Sequence, residues 1–338
     1  MEYASRMPAS RIPTLDGWRG VAILLVIVAH FQAGYFRQHA FHDWGWLDIG
    51  GHGVAIFFVL SGFLITSRLF GDGDLKRFYV RRFFRLMPVA WVYLSCVGVL
   101  GLILGANIIG RIDVVPCLLF FRNYYPSHEA PQWALTSHFW SLSVEEQFYL
   151  AWPAILMLAG RRAPRLLILG LLSCCALSFT SVGQYSWPYA GLLIGCLLAF
   201  AAKHAPFRLW AQKRWIAPVC LLGLVWHIAT HKQVIPLSEL ALIGMLLAST
   251  TSSPASLFGR ALEGQFLRSV GIYSYSLYIW QELFLLLHTG VIGLLLLPLA
   301  AVASYHLIEQ PCIKFWRRQE GRGAPVQDVG EIHQIVGI

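Results

Sequence analysis

Charge is the scarce ingredient of this chain. Only 13% of its 338 residues are Asp, Glu, Lys or Arg, while 57% are apolar. A soluble domain of ordinary composition is about 25% charged and about 45–50% apolar. So small a supply of surface charge argues against a soluble enzyme. Cysteine is present in the wrong form for a framework: Cys96, Cys117, Cys174, Cys175, Cys196, Cys220 and Cys312 make an odd count with no C-x-x-C spacing. They read as buried thiols, not as a disulfide frame or a zinc site, and no metal site is expected. The first thirteen residues carry Arg6 and Arg11 but no short apolar run ending at a small-residue cleavage motif. The first apolar segment is therefore expected to stay as a membrane span. Also missing is any stretch long enough for a separate soluble domain, since residues 106–138 and the segment after Phe315 are both too short.

Long apolar windows are abundant. A bilayer core of about 30 Å needs about 20 apolar residues per helix. Candidate spans lie at Trp18–Phe36, Gly51–Leu69, Leu86–Gly105, Phe139–Ala159, Leu166–Val182, Trp187–Ala202, Trp215–Thr230, Val234–Thr250, Phe266–Leu287 and Gly290–Leu307. A further run, Val114 to Phe121, is too short to cross and contains Pro116, so it reads as re-entrant or interfacial. The expectation is an all-α polytopic membrane protein of about ten helices, one domain over residues 1–315 with a short disordered tail over 316–338.

The formal charge of +9 tests that topology. If the ten spans alternate from a cytoplasmic N-terminus, 22 of the 26 Lys and Arg fall on the inner side. Only Arg37, Arg111, Arg122 and Lys232 fall outside. Cationic loops stay cytoplasmic, so both termini are expected there. The basic excess needs no nucleic acid.

Ionisable groups within spans are costly, about 2.5–3.5 kcal/mol for a central charge on insertion scales, and each one marks a candidate site. Arg19 and His30 share nearly one face of the first span, eleven residues and about 16 Å apart. His30 can serve as a general base, as a nucleophile, or simply as a hydrogen-bonding group between helices. The fourth span carries Glu145 and Glu146. Glu145 falls on a stripe with His138, Ser141, Tyr149 and Trp152, about 9 Å below the outer rim, which is the depth expected for His30. Glu145 is therefore expected to orient His30, and Glu146 to pair with a cation elsewhere. The third place is the run Lys76 to Pro88 with Arg81, Arg82 and Arg85. Guanidinium forks at this inner rim suit either an anionic, nucleotide-bearing ligand or acidic lipid. Ser61, framed by Leu60 and Gly62, reads as a helix-packing residue more readily than as a nucleophile.

These segments together closely resemble the acyltransferase family 3 integral membrane proteins. The resemblance rests on Leu15-Asp16-Gly17-Trp18-Arg19-Gly20 followed by His30, on Gly53 to Ile65, and on Arg82-x-x-Arg85-Leu-x-Pro88. It continues through Trp140-Ser141-Leu142-Ser143-Val144-Glu145-Glu146-Gln147-Phe148-Tyr149 and Ser274 to Trp280. It implies an O-acyltransferase of a bacterial inner membrane, moving an acyl group, usually acetyl, from cytoplasmic acyl-coenzyme A to a hydroxyl of a surface or lipid-linked carbohydrate. It also implies that His30 is catalytic with Arg19 beside it, and that Arg82 and Arg85 handle the donor. Homo-oligomers or polysaccharide-assembly partners are compatible with it. Two departures stand out: Gln281 follows Trp280 where relatives often have His, and no hydrolase-like domain is expected after Glu309-Gln310-Pro311. The membrane domain is thus expected to act alone or with a separate partner. Two other readings stay open, acylation of a small hydroxylated metabolite or macrolide, and a proton-coupled transporter or flippase without thioester chemistry.

Overall fold

The computed structural model describes residues 12–35, 49–71, 74–103, 111–124, 135–180, 185–230, 235–286 and 290–321. Among these residues the chain is helical with no strand. The helices are α1 (Pro13–Tyr35), α2 (Gly50–Gly71), α3 (Leu75–Ile103), α4 (Arg111–Leu118), α5 (Phe139–Ala159), α6 (Ala163–Ser178), α7 (Trp187–Ala201) and α8 (Ala205–Ala211). They are followed by α9 (Ile216–Thr230), α10 (Leu237–Ser252), α11 (Leu257–Leu262), α12 (Gln265–Ile272), α13 (Ser274–Leu286), α14 (Gly290–Ser304) and α15 (Gln310–Gly321). Each expected apolar window carries helix.

Four of these stretches are long and apolar enough to cross a bilayer: Pro13–Gln32, Gly50–Gly71, Leu75–Ile103 and Val291–Gln319. That is fewer than the ten expected, because several windows are interrupted or short. The α7 window bends by 113° into α8, α9 and α10 have 15 and 16 residues, and the window from Phe266 breaks into α12 and α13. The run from Val114 folds as α4 and a turn, closed by Phe120 in a left-handed conformation (φ 55°), and does not form a span. The segment expected to be a tail begins inside α15, and residues beyond Gly321 lie outside the described set, as do Arg6, Arg11, Arg37 and Lys232.

Small residues let the central helices touch backbone to backbone, as membrane helices commonly do. The parallel pair α2 and α7 packs closely where Gly62 faces the Leu192 carbonyl and Gly195 faces the Val59 carbonyl, leaving no room for a Cβ on either glycine. One apolar cluster unites α1 and α2 with α7, α9 and α10, and a second joins α1 and α2 with α5, α13 and α14. A third, around Tyr93 and Phe139, joins α3 and α5 to α13. The outer faces carry bare Leu, Ile, Val and Phe, such as Leu102, Leu158 and Leu169, as expected of a lipid-facing surface. Among the cysteines Cys117, Cys174, Cys196 and Cys220 are buried, but Cys96 is exposed on α3 and Cys175 and Cys312 are partly exposed. A thiol is apolar enough to sit on a lipid-facing helix surface, so the expectation that nearly all are buried fails for these three.

Candidate functional site

Polar side chains gather at two levels between α1, α2, α3, α5 and α13. At one level Arg82 of α3 meets α5. Its Nε and Nη2 donate to Glu146 Oε1 at 2.9 and 2.6 Å, Nε reaches Oε2 at 3.2 Å, and Nη2 lies 3.5 Å from Glu145 Oε1. The guanidinium carbon also lies over the Tyr149 ring, 3.2 Å from its centroid. Glu145 accepts hydrogen bonds from Tyr149 Oη at 2.8 Å and from Ser61 Oγ of α2. Helical geometry explains the division: adjacent residues point about 100° apart, so Glu145 turns to α2 while Glu146 turns to α3. Glu146 has found the cation that the sequence required of it. Ser61 does more than pack, because its hydroxyl is bound to a carboxylate.

The second level lies about seven residues, or about 10 Å along α5, from Glu145. Here His138 immediately precedes α5, Glu282 sits on α13, and His30 stands in the last turns of α1. His30 Nδ1 is 2.9 Å from the Val26 carbonyl one turn back. A carbonyl only accepts, so Nδ1 carries the hydrogen and the basic lone pair of neutral His30 is on Nε2. Nε2 faces Glu282 Oε1 at 3.7 Å. Glu282 is fully buried, whereas the His30 side chain keeps 28% of its exposure. Glu282 Oε1 also receives the Ser137 hydroxyl at 2.5 Å and the His138 backbone N–H at 2.9 Å. Its Oε2 lies 2.6 Å from His138 Nδ1, at ion-pair distance. Behind His138, Tyr278 Oη donates to the His138 carbonyl at 3.0 Å and is 2.5 Å from Ser141 Oγ.

The carboxylate facing His30 is therefore that of Glu282, not Glu145. The expectation erred in depth: the outer end of α1 is level with the segment that leads into α5, so His30 meets the His138 region and Glu145 lies a turn and a half or more further in. Glu282 had a sequence signal. It is the one acidic residue between Arg268 and Glu309, deep in an apolar run, and the rule that made Glu145 a candidate applies equally to it. The same rule would have found His52, buried at the start of α2 with Nδ1 2.5 Å from Glu239 Oε1 of α10.

The remaining candidates stay near the other end of α1. Arg19 pairs with Asp16 at 3.7 Å, one turn away on its own helix, and does not stand beside His30. Arg85 lies 4.0 Å from Glu309, whose Oε2 also accepts from Ser276 Oγ at 3.3 Å. Glu309 ends a π-helical turn, Tyr305–Glu309, of the kind often found at functional positions. Arg81 lies over the Trp316 ring of α15 at 5.0 Å. The three arginines of the basic run thus diverge: Arg82 points into the bundle, while Arg81 and Arg85 meet the chain's last described helices.

Residues 12–308 match the family described as Acyltransferase domain, the model of acyltransferase family 3. The chain belongs to that family. Among curated proteins, it is 29% identical over 337 residues to peptidoglycan O-acetyltransferase OatA of Listeria monocytogenes, covering 86% of this chain and 52% of that protein. It is 29% identical over 362 residues to the putative peptidoglycan O-acetyltransferase YrhL of Bacillus subtilis, covering 89% and 54%. To O-acetyltransferase OatA of Staphylococcus aureus it is 29% identical over 356 residues, covering 90% and 57%. The chain thus spans about half the length of the curated relatives it matches. No solved structure matches it.

Proposed function

We propose that this family 3 chain is a membrane O-acetyltransferase that moves an acetyl group from cytoplasmic acetyl-coenzyme A to a hydroxyl of a cell-wall or surface carbohydrate. The observation that carries the reading is His30. Its ring is fixed by Val26 so that a basic nitrogen, partly accessible, points toward a buried carboxylate. Relatives named as peptidoglycan O-acetyltransferases support the substrate class. In the proposed reaction the acceptor hydroxyl gives its proton to His30 Nε2 as its oxygen attacks the thioester carbonyl. Collapse of the tetrahedral adduct expels the coenzyme A thiolate, which takes that proton back, so no net proton is released. The alternative order, in which His30 Nε2 first takes the acetyl group and then passes it to the hydroxyl, uses the same residues.

For the donor we assign Arg81 and Arg85 to the phosphates, since guanidinium forks suit them and Arg85 keeps 35% of its side-chain exposure. Arg82, committed to the two glutamates, is assigned to holding the passage between the donor end and His30, with Glu145 as its partner. Arg19 belongs to the donor end. The membrane arrangement we assign is the ten-crossing one in a bacterial inner membrane, with both termini on the cytoplasmic side where 22 of the 26 cationic residues fall.

Purified protein in detergent, given acetyl-coenzyme A and a peptidoglycan fragment or other oligosaccharide, is expected to release free coenzyme A, and His30→Gln to abolish the release while leaving the protein folded. Release that survives His30→Gln would refute the role of His30. Substrate movement coupled to pH without thioester cleavage would replace the enzyme reading with a transporter.

A further inference from the structure

The buried group that the mechanism above leaves unexplained is His138, whose side chain is 1% exposed. It is enclosed by the rings of Tyr93, Phe139 and Tyr278, with centroids 5.4, 4.8 and 5.5 Å away. Its Nε2 has no hydrogen-bond partner among the described residues. Its Nδ1 stands 2.6 Å from Glu282 Oε2, at ion-pair distance but outside hydrogen-bond geometry. Glu282 Oε1 accepts from the Ser137 hydroxyl and the His138 N–H, and it still faces the basic nitrogen of His30. The carboxylate is prevented from rotating, because its two donors come from consecutive residues that lead into α5.

We propose that Glu282 is the positioning carboxylate of His30 and that Ser137 and His138 hold it in place, so that His30, Glu282 and His138 work as one relay. The inference rests on the acetyl-transfer reading for its consequence but not for its test. When His30 Nε2 takes a proton, the imidazolium forms 3.7 Å from the Glu282 carboxylate, which orients it. His138 is too enclosed to touch a substrate and acts only through Glu282.

Among the described residues, the other charged and titratable groups on elements packed against α1 and α13 are engaged elsewhere. α2 brings His52, already engaged with Glu239 of α10. α11 is followed by Glu263, engaged with Thr14 at the opposite end of α1. α12 brings Arg268, with Tyr273 just beyond it, and Tyr273 Oη is 3.4 Å from His306 Nε2. α3 brings Tyr93, whose hydroxyl donates to the Leu135 carbonyl at 2.6 Å. α14 carries no ionisable side chain. Among the described residues, Glu282 is thus the carboxylate that faces His30.

The test is the pH profile of His30 modification by diethyl pyrocarbonate, which attacks only the neutral imidazole, read by mass spectrometry of the His30 peptide from the whole protein in detergent. Glu282→Gln removes the charge, so the midpoint is expected to fall by about one pH unit. Ser137→Ala strips one donor from the oxygen that faces His30, so its field strengthens and the midpoint is expected to rise. A purely structural role predicts no opposite shifts. If Glu282→Gln folds, an unmoved midpoint overturns the proposal. If it does not fold, an unmoved or lowered midpoint in Ser137→Ala overturns it. In turnover, Glu282→Gln is expected to lower kcat for coenzyme A release by about a hundredfold with KM for acetyl-coenzyme A within twofold, and Glu282→Asp to restore part of the loss. Wild-type protein that releases no coenzyme A would refute the acetyl-transfer reading while leaving the modification profile to decide the relay.

Discussion

The Arg82 cluster permits a prediction whose sign depends on desolvation. Replacing Arg82 with Met strands two carboxylates: Glu146 loses its bonds at 2.6, 2.9 and 3.2 Å, and Glu145 keeps only Ser61 and Tyr149. Breaking a buried ion pair by removing one partner costs about 3–5 kcal/mol. The side chains here retain 19% and 12% of their exposure, so the low end applies, about 3 kcal/mol. At about 2 °C per kcal/mol for a large domain, the melting temperature is expected to fall by about 6 °C, followed by tryptophan fluorescence in detergent. Changing Glu146 to Leu in the same chain removes one stranded charge, and apolar replacement of both partners of a buried pair is often neutral. The double variant is therefore expected to recover at least half of the loss. A double variant as unstable as Arg82→Met alone would refute the reasoning, because Glu146 would then not be the group left uncompensated.

Three further outcomes are expected of other contacts in the bundle. Gly62→Leu puts a branched side chain against the Leu192 carbonyl, so α2 and α7 must separate; a loss of more than about 3 kcal/mol and poor recovery from the membrane are expected, while Gly98→Ala, with open space around it, should be neutral in the same thermal assay. Arg85→Ala is expected to raise the apparent KM for acetyl-coenzyme A about tenfold with little change in kcat, measured by coenzyme A release, and an unchanged KM would remove Arg85 from the donor site. Glu239→Leu strands buried His52, and a destabilisation of about 1–3 kcal/mol is expected in urea or thermal unfolding, with the His30 modification profile unmoved.

Much of the helical framework is written in the sequence, because apolar composition and helical period act locally. Each apolar window does carry helix, the short run at Val114 does not form a long one, and the different directions of Glu145 and Glu146 follow from 100° per residue. Family membership was likewise legible, since it rests on short motifs in a fixed order. The pairing of those motifs was not. Depth along one helix can be counted from its own ends, but the relative height of two helices is set by packing across the bundle, and no local pattern reports it. That is why the sequence pairs Glu145 with His30, whereas the placing of Arg19 beside His30 rests on the family resemblance alone.

The sequence by itself determined that the chain is an apolar helical protein of acyltransferase family 3 with a few ionisable groups inside it, because composition, period and motif order are properties of the chain alone. Only the tertiary structure decided which of those groups meet. It set Arg82 between two glutamates and brought Glu282, from a helix more than 250 residues beyond His30, to face the basic nitrogen. Buried charges must find partners wherever the packed helices bring them level, and that depends on the heights at which α1, α3, α5 and α13 pack against one another.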